Sequence, residues 1–363
     1  MTAAASRATT TARAEWYRSA EAPPAAGLTW QRQARDLVVS CLPQPDVRGR
    51  VMVMRSRTTL PAPSWRGFRS QYHGLFSEFH SVLGALHYGL AHGAAGVRVN
   101  FTSPLYVEAA RGSNWWLYFF ERDLMRFDAG GAACDDIVLD RIVTRFGRYG
   151  GFADVVQGST PYLYPMTFGL DRRTLNRYVE QFAPIRRELR RAAVDRAATL
   201  FEPGAFVVGV HYRGTDAVHP RWDRFFRHYR SGRVPYATYA AEVRRVLDEA
   251  APARYQVFVA TDEQACLAFM RREFGNRVVA MDAPRAGEGG TAVHLDPSLS
   301  PWAKGESAML DALLLASTNY IVKGRSNLSD ASLVFNPDVP YSFRPDAAFA
   351  PITPAGESRN RRG

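Results

Sequence analysis

The chain has 363 residues, 46% of them apolar, with a formal charge of +11. That length suggests roughly two domains with sizeable cores, and no run approaches the roughly 20 apolar residues that span a bilayer. The charge does not mark a nucleic-acid binder, because every cationic residue except Lys304 and Lys323 is an Arg and these are spread along the chain rather than gathered into a groove.

Residues 1–46 are rich in Ala, Pro and Arg and are expected to be a poorly ordered lead. Val47–Arg55 reads as the first strand, followed by a loop at PAPSWRG. From His73 a Gly loop leads into an amphipathic helix, with Leu75, Phe79, Val82, Leu83, Leu86 and Leu90 near one face and Gly93 as its stop. Gly96–Phe101 alternates as a strand. Leu170–Leu200 is helical but broken at Pro184, and its Arg-rich run Arg186–Arg196 reads as a solvated helix face.

After Glu202 the pattern becomes regular. AFVVGVHY, YQVFVATD (Tyr255–Asp262), RVVAMD (Arg277–Asp282) and NYIVK are strands, separated by helices at Pro235–Ala250, Glu263–Gly275 and Gly305–Thr318. Strands alternating with helices of this length predict a doubly wound parallel sheet. The expected division is 47–195 as an N-terminal domain, 196–345 as a C-terminal domain that carries the ligand-binding strand ends, and 346–363 as a disordered tail. Cys41, Cys134 and Cys266 are far apart and show no metal-ligand spacing, which favours reduced thiols and a cytoplasmic protein.

Three strand ends carry polar groups: His211, Arg213 and Asp216; Thr261 and Asp262; and Lys323 through Asn327. In a parallel sheet these ends face one crevice, where α/β proteins bind ligands. Arg213 offers a planar fork to phosphate oxygens. The third segment leads through Gly324, Arg325 and Ser326 into a short helix starting near Asn327, whose free N–H groups and positive dipole end suit a phosphate. Asp262 could accept hydrogen bonds from a base or ribose, or cap the following helix.

HYRGTD, VFVATDE and DALLLASTNYIVKGRSNLSDASLVF, with GLFSEFHSVLGAL near the N-terminus, resemble segments of the fucosyltransferase superfamily that includes core, nodulation-factor and protein O-fucosyltransferases. The match covers roughly residues 70–120 and 205–335. The resemblance implies a GT-B fold, with two Rossmann-like domains facing a cleft. It also implies an inverting, metal-independent transfer, without a cofactor, from a GDP-sugar (GDP-fucose first) to a hydroxyl of a glycan or glycosylated small molecule. By position, Arg213 would hold the β-phosphate and stabilise the leaving group. His211 and Thr261 would line the nucleotide site and Asp262 would contact guanine. Ser326 and Asn327 would bind the pyrophosphate, with Arg325 also on the donor side.

The sequence departs from the family pattern where Ala217 and Arg221 stand at positions of a basic residue and a Glu, leaving the base among Asp216, Glu78 and Asp223, with His219 behind them. Ser77 and Glu78 replace an Asn-Gln pair on the acceptor side. Trp115 and Trp116 are candidates for stacking on an acceptor sugar or, alternatively, core residues. His73, His80 and His87 recur every seven residues, which is not the spacing of three or four that a helical metal site uses. The competing readings are the same fold with another nucleotide sugar, and a nucleotide- or glycan-binding protein without catalysis.

Overall fold

A computed structural model describes residues 47–56, 74–127, 136–138, 144–145, 152–153, 172–214, 234–287, 293–324, 326–343 and 350–352. Among these, one compact unit holds everything through Arg186 together with Ser300–Gly305, and a second holds Arg187–Leu299 and the residues from Glu306 on. The chain is α/β, and each unit is built on a largely parallel sheet, the architecture that the resemblance implies for both.

The first unit begins with β1 (Val51–Arg55), α1 (Leu75–His92) and β2 (Gly96–Asn100). Leu75, Phe79, Val82, Leu83 and Leu86 of α1 are all buried, and burying such side chains contributes about 1.5–3 kcal/mol each. Gly93 ends the helix in the left-handed region at φ 71°, its N–H bonded to Gly89 O, a conformation that glycine adopts without a Cβ penalty. α2 (Trp116–Phe119), β3 (Leu124–Arg126), β4 (Asp136–Val138), the β5–β6 pair (Thr144–Arg145 and Phe152–Ala153) and α3 (Arg172–Phe182) follow. The sheet order is β3-β2-β1-β4, with β1 parallel to both neighbours and β3 antiparallel to β2. The expected first strand is shorter than its sequence suggests: Arg48 makes only an isolated bridge to Ala94.

The second unit starts with α4 (Arg187–Leu200) after the break at Pro184, and only Leu189 and Ala193 of this helix are buried. Then come β7 (Phe206–Tyr212), α5 (Tyr236–Ala250), β8 (Tyr255–Thr261), α6 (Gln264–Phe274), β9 (Val278–Val279), α7 (Pro301–Ala316, in this unit from Glu306 on), β10 (Tyr320–Lys323), α8 (Asn327–Phe335), β11 (Tyr341–Phe343) and β12 (Ala350–Ile352). The order is β12-β11-β10-β7-β8-β9. All pairings are parallel except β11 with β12.

Helices cover both faces. Val208, Val210 and Tyr212 of β7, Val257 and Val259 of β8, and Val322 of β10 pack with Tyr239 and Val243 of α5 and Cys266 and Met270 of α6. On the other face a Cβ on Gly209 would lie 2.9 Å from Leu315 of α7, and Phe258 meets Phe201 at the end of α4. Two elements differ from expectation. β9 has two residues rather than the six of Arg277–Asp282, and Ala350–Ile352, placed in a disordered tail by composition, instead pairs with β11 as the sheet edge.

Candidate functional site

Strand order fixes where a ligand can sit. From β7 the chain adds β8 and β9 on one side, then returns to add β10 and β11 on the other. The order β9-β8-β7-β10-β11 therefore has its switch point between β7 and β10, and open α/β sheets bind ligands at the carboxyl ends flanking such a point. Those ends carry the residues singled out from the sequence. Lys323 pairs with His211 across β10 and β7, and Tyr212 pairs with Thr261 across β7 and β8. The three polar segments are thus side by side. Asp216 and Arg325 lie outside the described residues, as do His73, Asp223 and His219.

His211 is 5% exposed, and its Nδ1 has no hydrogen-bond partner among the described residues. Burial first, then the neighbouring cations Lys323 and Arg213, hold its pKa down at about 3, so the imidazole is neutral at ordinary pH. Lys323 is also buried, with Nζ 2.6 Å from Asp330 Oδ1. Arg213 is partly buried. Ser326 caps α8: its Oγ accepts the Leu328 N–H at 3.3 Å. Asn327 is the first residue of that helix. A cationic edge and a helix N-terminus therefore adjoin a buried imidazole with one free nitrogen, an arrangement suited to a polyanion with a polar appendage.

Thr261 and Asp262 are tied to the local backbone. Thr261 Oγ1 accepts the Glu263 N–H at 3.2 Å, and Asp262 Oδ1 accepts the Gly214 N–H at 3.1 Å. Asp262 thus fixes the turn that leaves β7. Beside it, Glu263 is 6% exposed and accepts the Tyr236 hydroxyl at 2.6 Å. The carboxylate of Glu263 packs so closely on Gly214 that no Cβ fits there. Gly324, after β10, is similarly pressed: a Cβ would lie 2.5 Å from the Tyr239 hydroxyl.

Sequence reasoning missed Glu263, Tyr236, Asp330 and one further group, Asp311. Arg285 follows β9 on a segment whose Ala286 bridges to Glu263 at the carboxyl edge. It donates to Met281 O at 2.6 Å and Ala283 O at 3.1 Å. Its charge acts on Asp311 of α7, a carboxyl that burial pushes up to about 7 against the pull of Arg285. Asp311 makes no hydrogen bond or ion pair among the described residues. A signal was present, since Asp311 is the one charged residue in the otherwise apolar stretch Ala308–Ala316.

Of the two readings of the aromatic pair near the N-terminal half, the structure favours the core one. Trp115 and Trp116 are both 0% exposed. Trp115 stacks on Phe101 at 5.1 Å and Trp116 on Phe120 at 3.8 Å. They are core residues with no ring face offered to a sugar, because the short α2 turn directs both rings into the first unit's interior. Glu78 is likewise fully buried in the first turn of α1, and Ser77 is partly buried, its carbonyl accepting from Ser81 Oγ. His87 of α1 is bonded through Nδ1 to the Tyr178 hydroxyl at 2.9 Å. Among the described residues no three His, Cys, Asp or Glu side chains converge, and no helix is long and apolar enough to cross a membrane.

No protein-family profile and no curated protein matches the sequence. Solved structures do. The α-1,6-fucosyltransferase NodZ, a Bradyrhizobium protein crystallised with GDP, is 16% identical over 84% of this chain and 99% of its own, with a TM-score of 0.46. POFUT1 in complex with GDP-fucose is 10% identical over 85% of this chain and 99% of its own, with a TM-score of 0.40. FUT1 of Arabidopsis thaliana in complex with GDP is 9% identical over 92% of this chain and 78% of its own, with a TM-score of 0.41. At these identities and TM-scores the likeness is remote.

Proposed function

We propose that the second unit binds a GDP-sugar and that the protein is an inverting glycosyltransferase, with GDP-fucose as donor and a hydroxyl of a glycan or glycosylated small molecule as acceptor. The observation that carries this is the switch point between β7 and β10, where His211, Lys323 and Arg213 meet the N-terminus of α8. A nucleoside diphosphate matches that edge. Its phosphates suit Arg213 and the α8 amides. Arg213 would then stabilise the charge that grows on the leaving diphosphate as the acceptor oxygen attacks the anomeric carbon. Asp262, whose Oδ1 accepts the Gly214 N–H, is the carboxylate assigned to the base, since guanine presents adjacent N–H donors to such an acceptor.

The test is calorimetric titration of GDP, UDP and ADP into the wild-type chain and Arg213→Ala, followed by GDP release from GDP-fucose with a panel of glycan acceptors. GDP preference, weakened at least tenfold by the substitution, is the expected result. Equal affinity for the three nucleotides would remove the guanine assignment, and binding of none would remove the donor site.

A further inference from the structure

The loop joining β10 to α8 is closed by a buried ion pair that the proposed chemistry does not use directly. Lys323, the last residue of β10, is 2% exposed, and Asp330, the fourth residue of α8, is 6% exposed. Lys323 Nζ reaches over Gly324 and Ser326 to Asp330 Oδ1 at 2.6 Å. The described residues inside this clasp are closely held. Gly324 abuts the Tyr239 hydroxyl, and Ser326 Oγ holds the Leu328 N–H. Ser326 O accepts both the Asp330 N–H at 3.0 Å and the Ser329 hydroxyl at 3.2 Å.

A pair this deep is a poor stabilising device. Removing two charges from water is expensive, and replacing such pairs by apolar residues of similar volume is often neutral or stabilising, whereas removing one partner is strongly destabilising. The pair therefore needs a different reason for its position. It sits beside His211 in the β7–β10 register, at the switch point, and ties the first turn of α8 to the strand end. Its effect is to fix the direction in which the α8 N-terminus and Ser326 point.

We propose that Lys323 and Asp330 are positioning residues: their clasp holds Ser326 and the N-terminus of α8 in the geometry that receives a diphosphate. This deepens the donor-site assignment and rests on it for the identity of the nucleotide, though not for the diphosphate itself. Lys323, being buried, acts through the loop rather than on the ligand. Its charge also helps keep His211 neutral.

The experiment compares wild type, Lys323→Arg, and the double variant Lys323→Met with Asp330→Leu, which removes both charges together and so avoids stranding one of them. Melting temperature is measured for each, with calorimetric affinity for GDP, GMP, guanosine and inorganic pyrophosphate on the full chain. We expect the double variant to melt close to wild type and to bind guanosine unchanged, while losing at least tenfold in affinity for GDP and pyrophosphate, so that the preference of GDP over GMP collapses. Lys323→Arg should stay within about threefold of wild type for all ligands. A folded double variant with wild-type affinity for GDP and pyrophosphate would overturn the proposal, as would an equal loss for guanosine, which a purely architectural role predicts. If wild type binds pyrophosphate but not GDP, the guanine-nucleotide reading fails while the clasp is still decided by the pyrophosphate series. If it binds neither, both fail.

Discussion

Adding one methyl group at Gly214 is the sharpest probe of the carboxyl edge. A Cβ built there lies 2.5 Å from Glu263 Oε2 and closer still to the other two atoms of that carboxylate. No real Cβ tolerates such an approach, so something must move. Glu263 is 6% exposed and its Oε2 is held by the Tyr236 hydroxyl at 2.6 Å, so swinging the carboxylate aside breaks a buried, charge-assisted hydrogen bond. Shifting Gly214 instead pulls its N–H off Asp262 Oδ1. Either route loses a hydrogen bond to a charged group, about 1.5–3 kcal/mol, and overpacking strain adds about 1–3 kcal/mol.

Gly214→Ala should therefore destabilise the protein by roughly 2.5–6 kcal/mol, which for a unit of this size is a fall of at least about 5 °C in melting temperature. Because Gly214 follows Arg213 directly, GDP affinity should fall with it. Calorimetric melting, urea unfolding and GDP titration read the three effects. Pairing Gly214→Ala with Glu263→Ala opens the space the methyl needs, so the two changes should be non-additive by more than about 1 kcal/mol. Strict additivity, or a Gly214→Ala protein that melts and binds GDP as wild type does, would refute the reasoning.

Two other perturbations separate stability from binding. In the second unit Glu242 accepts from Arg245 at 3.0 and 2.6 Å and from Ser342 Oγ, which in turn meets the Tyr320 hydroxyl at 2.8 Å. Glu242→Ala strands these partners and should cost about 1–3 kcal/mol by urea unfolding, a figure reduced because Arg245 is 32% exposed, and GDP affinity should be unchanged. Asp311, with a folded pKa of about 7 against an unfolded value near 3.8, keeps a proton in the native state that the unfolded chain has released. Its contribution to stability therefore declines as pH rises from about 4 to 7 and is level above that. Asp311→Asn should flatten this slope and be more stable than wild type at pH 8 by roughly 1–4 kcal/mol, as thermal melts across pH would reveal; identical pH profiles would remove Asp311 from the desolvated edge.

The parts of the fold that were legible are those where local pattern and tertiary demand coincide. The Val-rich strands β7 and β8 are covered on both faces, so they read as continuous apolar runs, and their polar ends stand out for the same reason. Gly93 and Pro184 interrupt helices through backbone chemistry that needs no partner. β9, β11 and β12 were misjudged or missed because each has only two or three residues and its pairing is decided by the neighbour it joins. Trp115 and Trp116 show why aromatic content does not distinguish display from burial, since only the rings of Phe101 and Phe120 reveal which way they face. Asp330 and Glu263 gain their roles from Lys323 and Gly214, contacts that appear once the strand ends are aligned.

The edge can also be viewed through what it leaves incomplete. Buried polar groups are expensive unless compensated, and most here are. Lys323 has Asp330, Glu263 has Tyr236, Asp262 has the Gly214 N–H, Thr261 has the Glu263 N–H, and Ser326 has the Leu328 N–H. Each of these pairs binds the end of one strand to the element that follows or adjoins it, and the result is a rigid rim. Among the described residues Nδ1 of His211 has no hydrogen-bond partner, and burial pushes the Asp311 carboxyl up to about 7. A frame that satisfies most of its own polar groups in this way holds its strand ends in place before any ligand arrives, which is what preorganisation means energetically.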